Sequence, residues 1–70
     1  MNDNTEMFKL SADQQEAVRK VTGLARKAAG RHTLLISSGE AYAYQSGDEI
    51  HWGFNAAPSF QNTARGVVPL

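Results

Sequence analysis

The sequence predicts an α+β fold: one amphipathic helix packed on an antiparallel sheet of three strands, with material for a fourth. Three observations lead to this. Residues 11–29 repeat small and apolar side chains at helical spacing, residues 32–55 change to the two-residue period of strands, and the strand-like runs are separated by the turn signals SSGE and SGD.

The helix begins at Ser11. In SADQ the Ser11 hydroxyl is placed to accept from the backbone three residues on, and Gln14 is placed to reach back, a capping box that satisfies two otherwise orphaned N–H groups. At about 100° per residue, Leu24, Ala17, Ala28, Val21, Gln14, Ala25, Val18 and Ala29 fall within one arc of roughly 140°. Acids occupy the early turns and bases the later ones, which suits the helix dipole, and Glu16 to Lys20 is a favourable i to i+4 pair. Gly30 is the expected stop. The buried stripe is mostly alanine and valine, so the helix can approach a neighbour closely but brings little bulk, and the bulk must come from the sheet.

Before the helix, MNDNT has nothing to bury and is expected to be loose. In EMFKL, Phe8 and Leu10 lie on one side of a short strand, or the segment simply drapes over the core. After the helix, His32–Ser37, Ala41–Gln45 and Glu49–Asn55 read as three strands of a meander. The last fifteen residues are punctuated by Pro58, Gly66 and Pro69; Phe60 is the expected anchor, Val67 and Val68 are the material for an edge strand, and the extreme C-terminus is expected to be flexible. Residues 1–70 form one domain.

Seventy residues bury only about 60% of the surface the unfolded chain exposes. The chain has no cysteine, so disulfides and thiolate metal ligands are excluded, and self-association becomes a natural source of extra stability. Neither a secretory signal nor a membrane span is visible, and a soluble cytoplasmic protein is expected. The zero net charge hides an asymmetry. Residues 11–31 carry Arg19, Lys20, Arg26, Lys27 and Arg31 against Asp13 and Glu16, whereas residues 32–70 carry Arg65 against Glu40, Asp48 and Glu49.

The stretch AYAYQSGDEIHWGFN at 41–55 holds both tyrosines, the tryptophan and one of three phenylalanines. Side chains alternate across a strand, so the turn length decides which of these share a face. A two-residue turn at Ser46-Gly47 or Gly47-Asp48 sets Ala41 and Ala43 beside Ile50, Trp52 and Phe54, and directs Tyr42, Tyr44 and His51 to the other face. A three-residue loop Gln45-Ser46-Gly47 gathers all five large side chains together. The two-residue turn is preferred, because alanines alternating with large rings interdigitate beneath a small-residue helix.

Signatures of chemistry are sparse. Asp48, Glu49 and His51 lie close in sequence, but a general base needs a positioned partner and a pocket, and a domain this small encloses little. SSGE lacks the glycine pattern of a nucleophile elbow, and no glycine-rich phosphate loop precedes the helix. His32 and His51 show no ligand spacing, so no metal or cofactor is expected. The function expected is therefore that of a small non-enzymatic protein-binding module, a modulator or inhibitor of a larger protein, acting through Tyr42, Tyr44 and His51, with homodimerisation a version of the same idea. The competing expectation is nucleic-acid binding by the basic face formed by Arg19, Lys20, Arg26, Lys27 and Arg31.

Overall fold

The computed structural model describes residues 6–70. The expectation for MNDNT therefore lies outside the described residues. A 3₁₀ turn, Met7–Lys9, leads into helix α1, Ala12–Lys27, and then into strands β1, His32–Ile36, β2, Gly39–Ser46, β3, Glu49–Ala56, and β4, Gln61–Pro69. The strands form one antiparallel sheet in the order β1-β2-β3-β4, and α1 lies across β1, β2 and β3 on one face. This is the α+β arrangement expected, with the fourth strand present. Among the described residues no helix is long and apolar enough to cross a membrane.

The helix starts as the capping box requires: Gln14 N–H donates to Ser11 Oγ at 3.4 Å, and Ser11 N–H donates to Gln14 Oε1 at 3.0 Å. It ends at Lys27 rather than at Gly30, because Ala28 is already extended (φ −147°, ψ 143°). The orphaned Ala28 carbonyl accepts from His32 Nε2 at 3.0 Å, so the first strand residue finishes the helix end.

The buried stripe is rotated from the expected arc. Ala17, Val18, Val21, Thr22 and Ala25 are buried, whereas Ala28 and Ala29 are exposed and Leu24 is 46% exposed. Thr22 can go inside because its hydroxyl donates to Arg19 O at 2.9 Å, within its own helix. Leu24 is left outside on the flank of α1.

The turn between β2 and β3 is Gly47-Asp48, closed by the pair Ser46 and Glu49, with φ +63° at Gly47. It places Ala41 opposite Phe54 and Ala43 opposite Trp52, with all four side chains buried beneath the helix. On β4, Ala64 and Val68 complete this layer. Trp52 faces Gly66, and any β-carbon there would overlap the indole.

The ends differ from expectation. Phe8 and Leu10 do not share a face: Leu10 is 5% exposed and joins the core with Met7, whereas Phe8 is 77% exposed, since a 3₁₀ turn rather than a strand separates them. Phe60 is no anchor. It is half exposed, with φ +54°, in the turn between β3 and β4. The strand β4 runs on to Pro69, and Leu70 N–H donates to Asp48 O at 2.9 Å.

Candidate functional site

One helix covers one face of a sheet. On the opposite face β2 presents Tyr42 and Tyr44, β3 presents His51, and β4 presents Arg65 and Val67. Tyr44 and His51 are directly paired across the strands, and their rings stack with centroids 5.5 Å apart and planes 13° from parallel. His51 Nε2 lies 3.3 Å from Glu49 Oε1, an ion pair when the imidazole is protonated. The turn sets this grouping, because a loop one residue longer would have sent Tyr44 to the helix side.

Tyr42 is held differently. Its cross-strand neighbour is Gly53, and its ring lies where a β-carbon at Gly53 would be. The guanidinium of Arg31 sits over the ring, 4.1 Å from its centroid. Tyr42 is thus held by a bare stretch of backbone and by a cation. On β4, the Glu6 carboxylate accepts from Arg65 N–H at 2.9 Å and lies 3.6 Å from Lys9 Nζ. Glu6, Tyr42, Tyr44, His51, Arg65 and Val67 line a shallow cleft of about 410 Å³.

The three residues expected to share this face do so. Sequence reasoning missed Gly53, Arg65 and Glu6, and it assigned Arg31 to the basic face rather than to this one. Two of these carried a signal: Arg31 has the parity of Thr33, which faces Tyr42 from β1, and Gly53 is the outward position between His51 and Asn55, where an absent side chain makes a hollow. Glu6 carried none, because its contact with β4 spans nearly the whole chain.

The basic residues spread over several surfaces. Lys20 pairs with Glu16 at 3.7 Å beside β1, Arg19 donates to Gln15 at 3.3 Å, and Arg26 donates to the Pro69 carbonyl at 3.3 Å at the far edge of the sheet. Lys27 is exposed at the helix end, and Arg31 belongs to the tyrosine face. Of the acidic group in the hairpin, Glu49 meets His51, whereas Asp48 sits in the turn with its carbonyl taken by Leu70. Among the described residues no three His, Asp or Glu side chains gather as metal ligands.

No family model, curated protein or solved structure matches this chain.

Proposed function

We propose that this chain is a small non-enzymatic protein-binding module that modulates a larger protein in the cytoplasm by occupying its surface, with the outer sheet face as the contact. The observation that carries this reading is the pair of clamps, Tyr44 on His51 and Arg31 on Tyr42, which hold aromatic rings on the face the helix leaves uncovered. Rings fixed before association lose little freedom on binding, and tyrosine, histidine and arginine each offer a polar tip on an apolar or planar body. The shallow cleft between them suits a protruding side chain of a partner better than an enclosed small molecule.

The test compares partner capture from the producing cell by the protein and by its Tyr42→Ser, Tyr44→Ser variant, after showing that both melt cooperatively. A partner held by the first and lost by the second is the expected result. A partner held equally by both would overturn the reading. Labelled duplex and single strands, titrated at two salt concentrations, form the other arm: binding that weakens steeply with salt and is lost in Arg26→Gln, Lys27→Gln would replace the protein-binding reading with nucleic-acid recognition through the helix.

A further inference from the structure

The two edges of the sheet are unlike. At β4 the edge is guarded: Met7–Lys9 packs against it, the Glu6 carboxylate takes the Arg65 N–H, Arg26 donates to the Pro69 carbonyl, and the register is broken beside Asn55. At β1 none of these devices is present among the described residues. The strand reads HTLLI, with no proline, no lysine and no bulge, and β2 is its neighbour on one side only.

Apolar surface collects at this same edge. Leu35, on the outer face, is 70% exposed, and Leu34 and Ile36, on the helix face, are half-buried. Between β1 and α1 a cleft of about 250 Å³ is lined by Leu34, Ile36 and Ala17, with Asp13, Glu16 and Lys20 at its rim. Leu24 follows Lys20 by four residues and so extends this flank of the helix, which explains where the leucine displaced from the core has gone. The core therefore runs out to the edge and stops in the open.

We propose that β1 is the seam of a two-fold homodimer, in which the strands of two copies pair antiparallel about Leu34 and join the two sheets into one. Charge selects the occupant. Along this flank of α1 the acids Asp13 and Glu16 come first and the bases Lys20 and Lys27 follow. A two-fold axis through the seam reverses the second helix, so the acidic half of each faces the basic half of the other, and the flank is complementary to itself. The same operation brings each Leu35 beside the Thr33 of the other copy and closes the cleft under Leu34 and Ile36. This seam lies apart from Tyr44 and His51, so the inference stands or falls separately from the proposed function.

Sedimentation equilibrium should give twice the 7.6 kDa chain mass at about 100 µM, a concentration at which specific oligomers are populated. Leu35→Lys alters a largely exposed side chain, so the monomer should fold, as circular dichroism and a cooperative melt will check. The dimer should weaken about 100-fold, since the leucine enters the seam twice and each loss costs about tenfold. Tyr44→Ser should leave the mass unchanged. Because the chain has no cysteine, Leu34→Cys gives a single thiol that should cross-link two copies under mild oxidation only if the strands pair about that residue. A monomer at this concentration, a dimer untouched by Leu35→Lys, or one dissolved by Tyr44→Ser would each overturn the proposal.

Discussion

Tyr44 and His51 face each other across β2 and β3 with stacked rings, and Glu49 stands 3.3 Å from the imidazole, so three side chains from one hairpin hold each other in place at the surface. Cross-strand aromatic pairs of this kind are worth about 0.2–1 kcal/mol. A double-mutant cycle with Tyr44→Ala and His51→Ala should return a coupling in that range by urea unfolding, with the fold kept throughout. Zero coupling would mean that the stack does not persist in solution.

Gly53 makes the seat of Tyr42. Gly53→Ala would drive a methyl group into the ring and lift it off the sheet, at a cost of about 1–3 kcal/mol. In a Tyr42→Ala background the same change should cost nothing or stabilise, because alanine is the better strand residue once the ring is gone. The disappearance or reversal of the cost, read by denaturant midpoints, is the check.

Trp52 is fully buried, and its indole N–H meets no hydrogen-bond acceptor among the described residues. Trp52→Ala should cost about 3–5 kcal/mol, enough to abolish cooperative melting in so small a domain. Trp52→Phe should be far milder, since the smaller ring loses packing but also removes a buried donor whose desolvation is uncompensated. Equal losses in the two variants would show that the N–H is bonded in solution.

Ser11 has two roles at the helix start. Its hydroxyl accepts from Gln14 N–H, and it donates to Asp13 Oδ1 at 2.6 Å, which with the backbone N–H groups holds the Asp13 carboxyl below its ordinary value of 3.8. A carboxyl depressed on folding contributes stability above its unfolded value, and that contribution is lost as the pH falls through the folded one. Ser11→Ala should cost about 1 kcal/mol at neutral pH through the lost cap. It should also raise the Asp13 titration toward 3.8, followed by carboxyl NMR shifts. An unmoved titration would mean that the hydroxyl does not reach the carboxylate in solution.

The hairpin and the helix start were legible because their causes are local. The capping box lies within four residues, and Gly47-Asp48 sets the parity that divides Tyr42, Tyr44 and His51 from Ile50, Trp52 and Phe54. Parity also put Arg31 within reach of the tyrosine face, though not its choice of the Tyr42 ring.

What the sequence by itself determined is the helix, the three-strand meander and the two faces of the sheet, since periodicity and turn chemistry act over a few residues. Tertiary structure alone decided how far α1 rolls about its axis, and therefore that Thr22 enters the core and Leu24 does not. It alone brought Glu6 to Arg65, covered β4, and left β1 without a cover among the described residues. These depend on which side chains meet across long separations, where packing shape decides and no short pattern records the outcome.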